Sequence, residues 1–276
     1  MLPIPYRNSN SPLRLPWVTF GLIGINLAVF FYELYLGSLG PAALPRFLQA
    51  HGLVPVNWAT ALAGGNWSGV IGPLLVSLFL HAGWLHLLGN LWMLYLFGFL
   101  IEDLLGPAGY LIFYLGCGMV AGVAQILADS SSNRPIVGAS GAIAGVLGAA
   151  FVRFPRTRIR AAWLVPTTFR VIQFNLSSWL LLGMWFLGEV GDSLMDTSGG
   201  GVAVFAHIGG FLVGVLLSFI GPVTQVYPDD ADVIVHLPPP IAASKPTHCR
   251  ECGQSGFLAD GLCHECWRRA SNPVGT

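Results

Sequence analysis

The chain has 276 residues, 54% of them apolar and only 9% charged, a balance that a water-soluble domain of this size could not cover with polar surface. Lys and Arg together number 13, as do Asp and Glu, so the net charge is zero and no basic field marks nucleic acid as a partner of the apolar part. The composition is that of a membrane protein.

About 20 apolar residues span a bilayer, and the first such run is Trp17 to Leu36. It follows Arg7 and Arg14, is too long for a signal-peptide core and has no small-residue cleavage site close behind it, so it reads as a retained span. A long loop with Arg46, Trp58 and Trp67 comes next. Trp84 to Ile101 and Ala108 to Ala128 are the second and third spans. Ser140 to Phe154 and Leu176 to Val190 are shorter and rich in Gly or Trp, as suits helices packed inside a bundle. Gly201 to Gly221 is the sixth. The expected fold class is therefore an all-α polytopic membrane protein, a six-helix bundle within residues 1–222.

The cations Arg153, Arg156, Arg158, Arg160 and Arg170 lie between the fourth and fifth spans. With Arg7 and Arg14 they assign that side, and both termini, to the cytoplasm. The second, fourth and sixth spans then start at the outer surface. Glu189, Asp192 and Asp196 fall in the last outer loop on this reading, where acids carry little topological weight. The expected location is a bacterial plasma membrane.

Beyond Pro222 the chain turns Pro- and Asp-containing, with VYPDDAD and HLPPP, and reads as a linker over 223–246. A minidomain follows at 247–269. Cys249-x2-Cys252, ten residues, then Cys263-x2-Cys266 is a four-thiolate zinc spacing, slightly short between the pairs. Disulfides fit less well in a reducing cytoplasm. A structural Zn2+ is the cofactor expected for the tail; His248 and His264 could replace a cysteine ligand but read better as neighbours of the site. So small a unit could not build a core without metal.

Strongly polar side chains inside a span are costly and mark candidate function. His86 and Asn90 are four apart, on one helix face. Ser140 opens the fourth span and His207 comes early in the sixth. With three inward-running helices rising about 1.5 Å per residue, these side chains lie within roughly 10 Å of one depth. Gly141, Gly145 and Gly148 on the fourth span and Gly210 and Gly214 on the sixth would let those two helices approach closely. That approach would bring Ser140 Oγ within reach of an imidazole nitrogen of His207, the pairing a serine nucleophile requires. The sixth span has no Asp or Glu, so a Ser/His pair is expected rather than a triad. The Ser140 backbone N–H with His86 and Asn90 could stabilise an oxyanion. Taken singly, Ser140 is an ordinary N-cap and His207 an ordinary packing polar residue; their common depth argues for chemistry. Glu102 and Asp103 read as interfacial groups binding a loop backbone, Glu33 as lying near the outer interface, and Cys117 as a small core residue.

The strings HAGWLHLLGN (His81 to Asn90), GASG (Gly138 to Gly141) and AHIGGFLVG (Ala206 to Gly214) resemble the rhomboid family of intramembrane serine proteases, in that order along the chain. The likeness runs from about residue 10 to 222 and includes the FG-x3-ED-x2-G stretch at Phe97 to Gly106. It implies a serine endopeptidase that cleaves transmembrane segments of other membrane proteins, near a small residue in an easily unwound helix. It assigns Ser140 and His207 as the dyad with no catalytic cofactor, Gly138, His86 and Asn90 to the oxyanion region, and His81 to fixing the loop above the site. Some members carry an aromatic ring four residues after the serine, stacked on the histidine. Here that residue is Ala144, so either another residue holds the imidazole of His207 or the ring is held more loosely. A Trp-Arg pair found in the first outer loop of some members has no counterpart beside Trp58 or Trp67. A pseudoprotease that only binds transmembrane segments is disfavoured by the intact serine and histidine. A transporter is disfavoured by the lack of an internal repeat.

Overall fold

The computed structural model describes residues 4–10, 12–165, 170–195 and 203–220, all within the first of two compact units, Met1–Val235. The expected linker and the cysteines at 249, 252, 263 and 266 lie outside the described residues.

Among the described residues, two helices are long and apolar enough to cross a membrane, α1 (Trp17–Ser38) and α5 (Trp84–Ala128). Shorter apolar helical runs are Trp67–Phe79, Ser140–Arg153, Ser178–Gly191 and Val204–Leu217. The 45 residues of α5 are two helices end to end. They meet at Gly106, whose φ of 73° and ψ of 162° no L side chain adopts readily, and Pro107 restarts the helix at a position where a missing N–H costs nothing. The two halves correspond to the second and third expected spans. The core is built largely on α5 and α6 (Ser140–Arg153), with Phe97, Leu100, Tyr110, Tyr114, Val146 and Phe154 all buried.

α6 and α8 (Val204–Leu217) are joined by a glycine seam. A methyl group built on Gly210 would overlap the carbonyl oxygen of Gly141, and one on Gly214 that of Gly145. Because 141 faces 210 and 145 faces 214, the two helices run parallel in that register. Their first turns therefore lie at the same end of the bundle. The second half of α5 packs on α6 the other way round, with Gly141 against Ala121 and Gly145 against Cys117. Cys117 is fully buried in the core.

The first helix is anchored at its start by Glu102. That buried carboxylate accepts from the backbone N–H groups of Val18 (2.9 Å) and Thr19 (2.8 Å) and from the Thr19 hydroxyl (2.7 Å). These are first-turn amides with no partner inside the helix, and an anion there also meets the positive end of the helix dipole. Asp103 accepts from Leu13 N–H at 2.9 Å, so both acids bind backbone, as expected of them.

Two expectations need correction. The chain is not all-α, because Ile4–Asn8 (β1), Arg158–Val165 (β2) and Arg170–Ser177 (β3) form an antiparallel sheet in the order β1-β2-β3. The cation-rich loop contributes β2 by alternation: Arg158 and Arg160 are exposed while Ile159 and Ala161 are buried. The helix of the fifth expected span, α7, covers Ser178–Met195 rather than about Leu176 to Val190. Glu189 and Asp192 thus belong to a helix, not to a loop.

The long loop after α1 is helical, with α2 (Ala43–His51), α3 (Pro55–Ala63), α4 (Trp67–Val76) and a 3-10 turn at Ser77–Phe79. Its backbone pairs with the segment before α6: Leu53 and Ile136 exchange hydrogen bonds of 3.1 and 2.8 Å, and Val56 N–H donates to Ser132 O at 3.2 Å.

Candidate active site

Ser140 is the first residue of α6 and is half-buried. The chain reaches it through Gly138, whose φ of +125° favours glycine. Gly138 N–H donates to Ser77 O at 2.9 Å. A side chain is also excluded there by space, since a Cβ would lie 2.6 Å from His86 Cε1 and 2.7 Å from His86 Nε2. The same position is 3.6 Å from Ser140 Oγ. The His86 ring thus lies over Gly138, beside the serine hydroxyl.

Asn90, one turn after His86, is held by His81. His81 Nδ1 lies 3.3 Å from Phe79 O, which can only accept, so Nδ1 carries the proton and Nε2 accepts from Asn90 Nδ2 at 3.0 Å. One Nδ2 hydrogen of Asn90 remains for another acceptor. The loop bearing His81 is tied in turn by Glu33, whose carboxylate accepts from His81 N–H at 3.0 and 3.2 Å. Glu33 is itself buried against the protein. It belongs to a stripe of buried residues on α1, Leu22, Asn26, Phe30 and Glu33, at helical spacing.

His207 lies in the first turn of α8 and is buried. Gln125 of α5 helps to cap that helix, its Oε1 accepting from Ala206 N–H at 3.1 Å. On the other side stands α7. Glu189 Oε2 is 2.8 Å from His207 Nδ1, and the Trp185 ring, one turn earlier, has its centroid 6.0 Å from that of His207. The expectation that no carboxylate is placed to orient this histidine is therefore overturned. The acid comes from the neighbouring helix, not from the histidine's own. The signal was present as a single Glu within an apolar run, four residues after Trp185, but it lay at an assumed span boundary. Gln125, a lone amide in the third span, was also missed.

Ser140, His207, His86, Asn90, Glu189 and Trp185 line one cavity of about 720 Å³, within the size range of ligand-binding clefts. Gly138 packs against His86 at its edge. No hydrogen bond joins Ser140 to His207 among the described residues, a bond that in serine hydrolases often tightens only with substrate bound. The cavity brings together a hydroxyl, an imidazole with one nitrogen unengaged, and amide and imidazole groups able to donate to a developing anion.

A family profile, the Rhomboid domain, matches residues 66–222. The chain is 29% identical to the Bacillus subtilis (strain 168) protein named "Putative rhomboid protease YdcA" over 180 residues, 63% of this chain and 79% of that one. It is 30% identical over 155 residues to RHOMBOID-like protein 5 of Arabidopsis thaliana, spanning 53% of this chain and 43% of the plant protein. It is 27% identical over 151 residues to the human mitochondrial presenilin-associated rhomboid-like protein, covering 52% of this chain and 36% of that one. The chain thus spans most of the bacterial relative but less than half of the other two. The profile covers more than half of the chain and contains both Ser140 and His207, and on that ground the chain belongs to the rhomboid family.

Proposed function

We propose that this chain is an intramembrane serine endopeptidase that cleaves transmembrane segments of other membrane proteins, with Ser140 as nucleophile and His207 as general base. The observation that carries this reading is the placement of both side chains in one cavity, at the same end of two helices joined by a glycine seam. Serine is a weak nucleophile until a neutral histidine takes its proton, and that histidine later protonates the leaving amine. The oxyanion would be met by the Ser140 N–H with His86 and Asn90. His81 holds Asn90, and Gly138 leaves room for the His86 ring.

The chain would cross a plasma membrane of bacterial type six times, with the halves of α5 counted separately and both termini in the cytoplasm. Hydrolysis by serine and histidine needs no cofactor. The four tail cysteines would hold a structural Zn2+, a reading supported by their spacing.

Labelling tests the nucleophile. A fluorophosphonate probe should modify the detergent-purified protein at Ser140, and the label should vanish in Ser140→Ala. Label that persists in Ser140→Ala would point to another nucleophile.

A further inference from the structure

We propose that Glu189 is a positioning residue for His207, so that the Ser140/His207 pair works as a three-residue relay with the acid supplied by α7. This rests on the protease reading above. The contact is short, 2.8 Å between Glu189 Oε2 and His207 Nδ1, and both side chains are largely shielded, at 15% and 11% exposure. A carboxylate only accepts, so the proton of the neutral imidazole resides on Nδ1 and the lone pair is left on Nε2. Nε2 is the nitrogen available to take the proton of Ser140.

The surroundings leave that task to Glu189. Ala144, four residues after the serine, is too small to reach the imidazole as a stacking ring would. From α7, Trp185 and Glu189 are four apart and share one helix face. Trp185 flanks the imidazole and also meets Phe211, with ring centroids 6.2 Å apart, so the ring and the carboxylate grip His207 from the same side. The other ionisable side chains lining the cavity are His86, Asp129 and Arg134. Among the described residues, Glu189 is the one whose side chain hydrogen-bonds the His207 ring.

The relay balances without an oxidant or cofactor. Ser140 Oγ bonds to the scissile carbonyl carbon as its proton passes to His207 Nε2. The C–N bond breaks as that proton moves to the leaving nitrogen. Water then attacks the acyl ester, gives its proton to Nε2, and Ser140 recovers it. Glu189 accepts from Nδ1 throughout, faces the imidazolium while it exists, and keeps the ring from turning over.

Two measurements on the full-length protein in detergent test this, with a substrate carrying a single transmembrane helix. In the first, Glu189→Gln should lower kcat by about 10- to 100-fold, short of the roughly 10⁴-fold lost when a fully buried triad acid becomes an amide. KM and the melting temperature should stay near wild type, the rate of fluorophosphonate labelling at Ser140 should fall with kcat, and Glu189→Asp should restore part of both. A Gln variant with wild-type kcat and labelling rate would overturn the proposal, as would a kcat loss matched by a fall in melting temperature that Asp does not restore. The second measurement needs no Glu189 variant to fold. Nitrogen-15 spectra of histidine-labelled wild-type protein should show the His207 ring protonated at Nδ1, and protonation at Nε2 would overturn the proposal. Wild-type protein that neither cleaves nor takes the label would instead sink the protease reading itself, and this relay with it.

Discussion

Replacing Gly210 by alanine adds one methyl group where α8 touches α6, three residues after His207. The structure leaves no space for it, because the new carbon would overlap the carbonyl oxygen of Gly141, the residue after Ser140. Backbone carbonyls cannot rotate away, so the helices must separate at the point where the serine and histidine are brought together. Overpacking of this kind costs about 1–3 kcal/mol of stability. The larger effect should be on rate, since a shift of His207 by on the order of 1 Å can cost about 100-fold in turnover. Cleavage of a single-helix substrate, measured well below the melting temperature of the variant, separates displacement from unfolding. Gly116→Ala is the control, since a methyl there meets nothing within 4 Å; it should cleave as the wild type does. Gly210→Ala cleaving at the wild-type rate with an unaltered melting temperature would refute the idea that this seam sets the site.

Glu102→Ala strands two backbone amides and a hydroxyl at the start of α1 and should lower stability by about 2–3 kcal/mol in an unfolding titration, with Glu102→Gln intermediate. His86→Ala and Asn90→Ala should each reduce kcat by about 100-fold or more while changing KM little, as loss of an oxyanion donor does; steady-state kinetics on both variants would check this. Zinc measured by atomic absorption should approach one ion per chain, fall on Cys249→Ser, and be accompanied by protease sensitivity of residues 247–269 after chelation. A tail equally resistant with and without metal would contradict it.

The parts of this molecule that were legible in its sequence are those governed by local spacing. Glycines four apart on the fourth and sixth apolar runs announced a close helix contact, and the structure places Gly141 against Gly210 and Gly145 against Gly214. Polar residues isolated in apolar runs pointed to His86, Asn90, Ser140 and His207, which line one cavity. Long-range pairing was less visible. β1 meets β2 about 150 residues away, with Arg7 opposite Arg160; the alternation in RIRAAWLV was readable, but the cluster of arginines drew attention to topology instead. Glu33 binds the backbone of His81 across 48 residues, and only its place on the buried stripe of α1 hints at that. Glu189 was hidden for a related reason. Its partner is on another helix, so the sequence around His207 carries no trace of it.

The central claim is that Ser140 cuts a transmembrane segment. The most direct measurement incubates the detergent-purified protein with a substrate carrying one transmembrane helix, beside the Ser140→Ala variant, and maps the product by mass spectrometry. Cleavage within or beside the helix by the wild type alone is the predicted result. Product from both proteins, or from neither across several substrates, would contradict it.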